Sequence, residues 1–197
     1  MGIPIVGADD YEADDVIATY SKIEKGPIRI VTGDRDLFQL VDSKRDVKIV
    51  YLAKGISNHD LVDEKWINNK YGIPGERYAL FSMIRGDTSD GLPGIKGIGE
   101  KGAAEIANMF STISEVLKAH IDKSEILVEK YRKKFDESME YAQIMEKLVM
   151  CATDVPVPNI DTKLHTSNFD NDQLHQLKEK YGLGTSIDRF INAVKSQ

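Results

Sequence analysis

The sequence lacks several features that mark particular classes of protein. Its single cysteine, Cys151, cannot form an internal disulfide, which argues against a disulfide-stabilised secreted domain. Its apolar runs span only a few residues, far fewer than the roughly 20 that cross a bilayer. No basic stretch followed by an apolar segment stands at its N-terminus, and no repeat or low-complexity tract is present. We therefore expect a cytoplasmic protein.

What remains is the composition of an ordinary globular protein. Hydrophobic residues make up 41% and charged residues 29% of the 197 positions, which suits one domain of moderate size or two small ones. The net charge of -6 disfavours a phosphate-rich partner only on average, because the charge is unevenly distributed. Acids dominate the first part of the chain, whereas KYRKK at 130–134 is basic.

The patterns of apolar residues divide the chain into an α/β part and a helical part. Short β-branched runs predict buried strands at 3–6, 28–32 and 47–52. A helical pattern between the first two predicts a strand, helix, strand unit with parallel pairing. A short helix is predicted in RDLFQLV, and strand signals end near residue 58. Helices are then predicted over 60–71 with Asp60 as N-cap, 76–85, 99–110, 112–120, 125–135, 137–151, 171–181 and 185–195, with an extended connection at 151–159.

Carboxylates crowd three places along the sequence. GADDYEADD at 7–15 follows the first predicted strand, TGDRD at 32–36 closes the second, and RGDTSD at 85–90 follows a helix. An acidic pair near a glycine is, taken alone, more often a solvated turn or an N-cap than a site. Two of these clusters, however, follow parallel strands, and ligands bind at that edge of an open sheet. Hard oxygen ligands without nearby histidine or cysteine favour Mg²⁺ or Mn²⁺ over zinc.

The spacing of the acids bears on which of them can meet. Glu12 and Asp14 converge if Glu12 lies in the loop that enters the helix, because two steps along a regular helix separate side chains by about 200°. Asp34 and Asp36 share a side if the chain is extended there. Two divalent ions among such acids would activate a water and hold the leaving oxygen of a phosphodiester. The clusters therefore favour chemistry on phosphate.

The second strong pattern is a glycine-rich segment at 91–110, GLPGIKGIGEKGAAEIANMF. Gly97 and Gly99 lie directly before a predicted helix, where they permit a tight hairpin and leave N–H groups free to bind an anion. The segment resembles a helix-hairpin-helix element, which contacts the nucleic-acid backbone without reading bases. A glycine-rich turn between packed helices is the alternative, and the proline and lysines favour DNA binding over it. The predicted DNA-binding residues are Gly94, Lys96, Gly97, Ile98, Gly99, Lys101 and Gly102.

Three motifs in order carry a family resemblance. With YEADD, TGDRDLFQLV and GDTSDGLPGIKGIGEKGA, the chain resembles the 5′-3′ exonuclease and flap endonuclease family, which includes the N-terminal nuclease domain of bacterial DNA polymerase I. The resemblance covers residues 1 to about 190. It implies an α/β fold, a partial and mostly parallel PIN-like core followed by helices with a helix-three-turn-helix. The implied metal ligands are Glu12, Asp14, Asp15, Asp34, Asp36, Asp87 and Asp90, and we assign the catalytic role to Asp34, Asp36, Glu12 and Asp14.

The resemblance also implies a function. Family members are metal-dependent nucleases that hydrolyse DNA near a 5′ end or a flap at a junction and leave a 5′-phosphate. We therefore expect two Mg²⁺ or Mn²⁺ ions, and a monovalent cation such as K⁺ on the backbone carbonyls of the hairpin. The family begins with a further strand and a helical arch, whereas MGIPIV aligns with the strand just before YEADD. We expect those elements to be absent here, either because a separate chain supplies them or because the sequence was defined without them.

The sequence leaves three functions open. The first is a structure-specific 5′-3′ nuclease of replication or repair, with a metal-binding core at 1–86 and a helical DNA-binding region at 87–197. The second is a non-catalytic module that binds DNA junctions and keeps the acids as an inherited metal site. The third is a magnesium-dependent phosphatase, in which the hairpin has no role. The segment 118–134 either extends a basic track along the duplex or forms a solvated helix face. Tyr131 is expected to pack, and Cys151 to be a small buried residue on a helix.

Overall fold

A computed structural model describes residues 4–161 and 170–195 of the chain. The chain divides into two compact units, one of Asp10–Val155 and one of Met1–Asp9 with Pro156–Gln197. The first unit contains a three-stranded sheet and most of the helices. The predicted domain boundary between residues 86 and 87 stays a prediction.

The sheet of the first unit is small and mixed. Strand β1 (Ile28–Thr32) pairs in parallel with β2 (Val47–Tyr51), and β2 pairs antiparallel with β3 (Asp60–Val62). Ile49 of the central strand is fully buried, so one face of the sheet packs on the core. The predicted α/β fold class, with helices following the sheet, is confirmed.

The first predicted strand, at 3–6, is wrong for its described part. Residues 4–6 are irregular, and the side chain of Ile5 is 99% exposed. Pro4 has no N–H to donate to a neighbouring strand, which makes pairing unfavourable there. The expected helix does form, as α1 (Ala13–Ile23), but the predicted strand, helix, strand unit does not. The parallel pair is instead made by β1 and β2, which a 3₁₀ helix connects.

A third strand occupies the place where the sequence predicts the start of a helix. Strand β3 covers the residues assigned to the first turn, and α2 (Glu64–Tyr71) begins only after it. The N-cap is Asp63, whose Oδ1 accepts a hydrogen bond from the N–H of Trp66 at 2.9 Å. Asp60 forms an ion pair with Lys54 at 3.2 Å instead of capping a helix. Three residues of strand are too few for period-two alternation to stand out in the sequence.

One hydrophobic core joins the sheet to the helices that follow it. Phe38, Tyr78 and Phe81 are fully buried in this core, with the rings of Phe38 and Tyr78 5.3 Å apart. The predicted helical region is confirmed, although several helices begin or end a few residues from their predicted bounds. These elements are 3₁₀ helices at Asp36–Leu40, Ile56–Asn58 and Gly75–Arg77, and α-helices α3 (Tyr78–Arg85), α4 (Glu100–Met109), α5 (Ile113–Ile121), α6 (Glu129–Glu137) and α7 (Met139–Val149).

The described part of the second unit contains two helices, as predicted. They are α8 (Asn171–Tyr181) and α9 (Ser186–Lys195). Asp170 caps α8, and an ion pair of 2.8 Å between Lys178 and Asp188 joins the two helices. None of the helices in the described ranges combines the length and the apolar character that a bilayer-spanning segment needs.

Candidate metal centre and nucleic-acid interface

The loop after β1 positions the first pair of acids. The Oγ1 atom of Thr32 accepts a hydrogen bond from the N–H of Asp34 at 3.0 Å. Oδ1 of Asp34 in turn accepts one from the N–H of Asp36 at 2.9 Å, which turns the chain into the 3₁₀ helix. The fully buried Leu37 and Phe38 anchor that helix in the core. The turn therefore holds Asp34 and Asp36 at the carboxyl end of the strand, as the sequence predicts.

A tight loop between α3 and α4, closed by Asp87 and Leu92, positions the second pair of acids, Asp87 and Asp90. The backbones of Asp87 and Leu92 exchange two hydrogen bonds, of 3.0 and 2.8 Å. Asp87 is buried, and its Oδ1 accepts hydrogen bonds from both the N–H and the hydroxyl of Ser89. Asp90 lies exposed at the tip of this loop. The four-residue loop thus fixes Asp87 closely and leaves Asp90 open to solvent.

Carboxylates from these two loops converge. One oxygen each of Asp36, Asp87 and Asp90 lies within 4.8 Å of the others. Oxygens on opposite sides of a bound Mg²⁺ are about 4.2 Å apart, twice its metal–oxygen distance of about 2.1 Å. The three oxygens therefore have nearly the spacing that a small hard cation needs. Beside them is an open pocket of about 310 Å³ lined by Gly33, Asp34, Arg35, Tyr51, Asp87, Ser89 and Asp90.

The start of α1 brings a third group of acids to the same place. Glu12 is the extended N-cap residue of α1, which is the arrangement that lets it approach Asp14. Burial raises the pKa of Asp14, and the nearby carboxylates of Asp34, Glu12 and Asp15 raise it further. Asp15 differs from the others, because both of its oxygens accept backbone hydrogen bonds, from Glu12 at 3.2 Å and from Ala152 at 2.7 Å.

Crowding makes the cluster electrostatically unfavourable without a cation. Burial, together with repulsion from Asp34, Asp90, Asp87 and Asp14, raises the pKa of Asp36 to about 6. A carboxylate of this kind is stabilised in its ionised form when a positive charge comes close. The cluster is therefore suited to divalent cations, for which all its oxygens are hard ligands.

Asp87 is the exception, because it already has positive partners. Its Oδ2 lies 2.9 Å from Nη2 of Arg35 and 3.6 Å from Nη2 of Arg85. Hydrogen bonds from Ser89 hold the pKa of Asp87 below its usual range, and the two guanidinium groups lower it further. Neither arginine was predicted from the sequence as a site residue, although Arg35 stands between two predicted site residues.

The glycine-rich segment begins with a close approach of two backbones. Gly86 and Gly94 have positive φ angles, of 76° and 66°. A Cβ on Gly86 would lie 2.5 Å from the nitrogen of Gly94, and one on Gly94 would lie 2.5 Å from the carbonyl oxygen of Arg85. Only glycine fits at both positions. This contact places the glycine-rich segment directly next to the loop that carries Asp87.

The rest of the segment presents backbone and lysines to solvent. Gly99 is the N-cap of α4, and a Cβ built on it would have no atom within 4 Å. Lys96 and Lys101 are exposed on either side of it. Ile98 is buried and anchors the hairpin in the core. A helix start without a side-chain cap, flanked by two ammonium groups, is a favourable site for a phosphate.

Helices α6 and α7 support the hairpin from the other side. The ammonium of Lys134 donates a hydrogen bond to the carbonyl oxygen of Gly97, and Oγ of Ser138 accepts one from the N–H of Lys96 at 3.0 Å. Tyr131 is buried, and a Cβ on Gly102 would lie 3.3 Å from its ring. The expected packing role of Tyr131 is confirmed, and Gly102 serves the same contact.

Comparisons with known proteins agree with these motifs. The family described as "5'-3' exonuclease, N-terminal resolvase-like domain" matches residues 1–72, and the family described as "5'-3' exonuclease, C-terminal SAM fold" matches residues 73–172. The chain belongs to the 5′-3′ exonuclease family. A 5′-3′ exonuclease of Streptomyces coelicolor is 43% identical over 194 residues, which cover 98% of this chain and 64% of that protein. DNA polymerase I of Bacillus subtilis is 30% identical over 185 residues, or 92% of this chain and 20% of that one.

Solved structures support the fold of this family member. Bacteriophage T5 flap endonuclease, in a pseudo-enzyme-product complex with DNA and metal ions, matches with a TM-score of 0.57 and 15% identity over 94% of this chain and 59% of that chain. At this identity the match shows the fold alone. The chain also spans only 64% of the length of the Streptomyces relative.

A segment after α7 completes the surroundings of the acid cluster. Nε2 of Gln39 donates hydrogen bonds to the carbonyl oxygens of Asp36 at 2.9 Å and Val149 at 3.0 Å, and Oε1 accepts one from the N–H of Cys151 at 3.1 Å. Gln39 therefore ties this segment to the loop that carries Asp36. The sequence gives no signal for it, because its partners are backbone atoms of a distant segment.

Cys151 lies beside the cluster, not on a helix as predicted. Helix α7 ends at Val149, and Cys151 is half-buried in the irregular chain that follows. Burial, with the charges of Asp14 and Asp15 adding to it, raises the pKa of its thiol to about 12. The thiol therefore stays protonated at neutral pH and is a poor nucleophile.

Proposed function

We propose that the chain is a divalent-metal-dependent 5′-3′ deoxyribonuclease that cleaves DNA at a 5′ end or a flap at a duplex junction. One observation carries this proposal. Carboxylates from two separate loops meet within 4.8 Å, and the backbone contact of Gly86 with Gly94 places the glycine-rich segment next to them. Family membership supports a nuclease, in the setting of DNA replication or repair. The T5 flap endonuclease, solved in a complex with DNA and metal ions, has the same fold.

The acids have distinct parts in this proposal. Two Mg²⁺ or Mn²⁺ ions, when bound, activate water and stabilise the leaving oxygen of a phosphodiester. Asp36, Asp87 and Asp90 offer the oxygens for one ion, because these oxygens already lie together. Asp34, Asp14 and Glu12 offer oxygens for a second. Asp15 is a ligand only if it gives up one of its two backbone hydrogen bonds.

The hairpin binds the duplex through its phosphates in this proposal. The N–H groups at the start of α4 donate hydrogen bonds to a phosphate oxygen at Gly99, and Lys96 and Lys101 add positive charge beside it. Such contacts position the DNA without reading its sequence. Binding should therefore weaken steeply as the salt concentration rises.

The proposed function also includes a monovalent cation bound at the glycine hairpin. The carbonyl oxygen of Gly97 already accepts a hydrogen bond from the ammonium of Lys134. An ammonium supplies one positive charge at that oxygen, as K⁺ would. We propose that K⁺ binds the hairpin carbonyls only when Lys134 leaves Gly97, so that the two cations compete.

Cleavage of a labelled 5′-flap duplex tests the proposed function. With Mg²⁺ or Mn²⁺ the chain should release short 5′ products, and EDTA should stop the reaction. Asp36→Asn should lower the cleavage rate by about 100-fold or more while DNA affinity stays within about two-fold, because it removes a metal ligand and leaves the hairpin intact. Asp46→Asn, which alters an exposed acid paired with Arg29, is the matched control and should cleave normally. An unchanged rate in Asp36→Asn would exclude this acid from the reaction.

A non-catalytic DNA-junction module is the second candidate. The arginine partners of Asp87 favour it, because they neutralise part of the cluster without any metal ion. This module would bind the flap duplex as tightly as a nuclease does. It would release no product at any concentration of Mg²⁺ or Mn²⁺, and Asp36→Asn would change nothing.

A further inference from the structure

Arg35 is a basic side chain set among the acids of the candidate metal centre. It stands between Asp34 and Asp36 in the sequence and lines the same pocket as Asp34, Asp87 and Asp90. Its guanidinium makes a 2.9 Å ion pair with Asp87. The side chain of Arg35 is 42% exposed, whereas that of Asp87 is 8% exposed. A solvent-exposed cation is thus paired with a buried acid of the cluster.

The carboxylate of Asp87 is already engaged at both of its oxygens. A carboxylate offers about four lone-pair positions in total. Two are occupied at Oδ1 by the N–H and hydroxyl of Ser89 and one at Oδ2 by Arg35, whereas Nη2 of Arg85 lies 3.6 Å from Oδ2, beyond hydrogen-bond range. A divalent cation at Oδ2 therefore meets the positive charge of two guanidinium groups, and it binds there more favourably when one of them moves away.

Arg35 is the donor that can leave. Arg85 is 13% exposed, its Nε donates a hydrogen bond to the carbonyl oxygen of Gly86 at 3.1 Å, and its guanidinium lies 5.1 Å from the ring centre of Phe81. Ser89 lies in the tight loop closed by Asp87 and Leu92, which holds it beside Asp87. Arg35, in contrast, makes its ion pair from an exposed position at the mouth of the pocket.

We propose that Arg35 exchanges partners during the reaction. It pairs with Asp87 in the metal-free chain, and it turns to a backbone phosphate of the DNA when Asp87 takes a divalent cation. A guanidinium matches the oxygens of a phosphate as well as those of a carboxylate. The position of Arg35 between two acids of the site would bring that phosphate to them. The inference rests on the proposed function and adds a substrate-binding residue to it.

If Arg35 exchanges partners in this way, it contributes to DNA binding only when a divalent cation is present. DNA affinity of the chain is measured for a 5′-flap duplex in EDTA and in Ca²⁺, a hard cation that carboxylate oxygens accept. Arg35→Gln should weaken binding by about five-fold in Ca²⁺ and by less than about two-fold in EDTA. Arg35→Lys keeps the positive charge but not the planar guanidinium that donates two parallel hydrogen bonds. It should therefore weaken DNA binding in Ca²⁺ by less than Arg35→Gln does.

Calorimetric titration with Mn²⁺ gives a second readout that does not depend on DNA or on activity. Arg35→Gln should bind Mn²⁺ about five-fold more tightly than the original chain, because a competing cation is gone. Arg29→Gln is the matched control. It breaks a 2.8 Å pair with Asp46 at 39% exposure and lies at the other end of β1. It should change neither Mn²⁺ nor DNA affinity.

Two results would overturn the exchange. If Arg35→Gln weakens DNA binding equally in EDTA and in Ca²⁺, or in neither, Arg35 keeps one partner throughout. If it leaves Mn²⁺ affinity unchanged, Arg35 does not compete for Asp87. In both cases a chain that still binds Mn²⁺ and cleaves the flap retains its proposed function. A chain that binds no Mn²⁺ and cleaves nothing loses both.

Discussion

The carboxylate cluster and the glycine hairpin are neighbours built on different physical principles. The cluster holds like charges close together, and its cost is electrostatic, as the raised pKa of Asp36 shows. The hairpin holds two backbones close together, and its constraint is steric, as the 2.5 Å approaches at Gly86 and Gly94 show. Charges can be neutralised without moving the chain, whereas an added Cβ at Gly86 or Gly94 cannot be accommodated. Substitutions at these two glycines should therefore damage folding, and substitutions in the cluster should damage function.

The largest effect is expected from Gly94→Ala. The new Cβ would meet the carbonyl of Arg85 at 2.5 Å in a backbone with positive φ, so the free energy of unfolding should fall by about 3 kcal/mol or more. Urea denaturation measures this loss. Gly91→Ala is the matched control, because Gly91 has a similar φ of 71° and open space around it. It should cost only about 1 kcal/mol. Equal losses would refute the steric account.

The next effect is the dependence of stability on pH in the metal-free chain. The pKa of Asp36 is about 6 in the folded state against 3.8 for the ordinary group, so the folded state binds more protons between these values. The contribution of Asp36 to stability is therefore complete below about pH 4 and is lost as the pH rises through about 6. Because solvent screens this partly exposed group, we expect about 1 kcal/mol.

Asp36→Asn tests that dependence. It should remove this part of the slope between about pH 4 and 7 and stabilise the metal-free chain at neutral pH. Thermal unfolding in EDTA across this range measures both. A variant that is less stable than the original chain at neutral pH would show that Asp36 is not strained by its neighbours.

A smaller and purely functional effect is expected from Gly99→Val. The structure has room for the side chain, because a Cβ there meets nothing within 4 Å. The valine would instead block the approach of a phosphate to the start of α4. Duplex affinity should drop several-fold for all DNA sequences alike, with the free energy of unfolding within about 0.5 kcal/mol of the original. A change in sequence preference would contradict a backbone contact.

The smallest effect is expected from Lys134→Met. Loss of the ammonium frees the carbonyl oxygen of Gly97, so DNA binding should become more dependent on K⁺ than in the original chain. Titration of duplex affinity with KCl against LiCl at constant ionic strength measures this. Lys133→Met removes a neighbouring, exposed lysine and should leave the response unchanged. The same K⁺ response in both variants would show that Lys134 and K⁺ do not compete.

The parts of the site that the sequence predicted are those that short segments encode. TGDRD and RGDTSD each fold into a local turn, so the clustering of the acids within each motif could be predicted from the sequence, whereas their role as metal ligands was implied by the family resemblance. Long helices with a clear apolar period were likewise found, and α8 matches its prediction at both ends. The glycine hairpin was recognised from the residues that follow Gly94. Local interactions decide all of these features.

The parts that the sequence could not supply depend on contacts between distant segments. The strand at 3–6 failed because a β-branched run becomes a strand only when a neighbour pairs with it. The pairing of Arg35 with Asp87, and the bonds of Gln39 to the segment after α7, join residues far apart in the chain. Gly86 was not predicted as important, because a glycine is required there only by the close approach of the Gly94 backbone.

Anomalous diffraction from crystals grown with Mn²⁺ would show whether acids from separate loops gather around divalent ions beside the glycine hairpin. We expect Mn²⁺ peaks within bonding distance of carboxylate oxygens of Asp36 and Asp90, with Arg35 no longer paired with Asp87. Peaks elsewhere on the chain, or none at saturating Mn²⁺, would contradict this expectation.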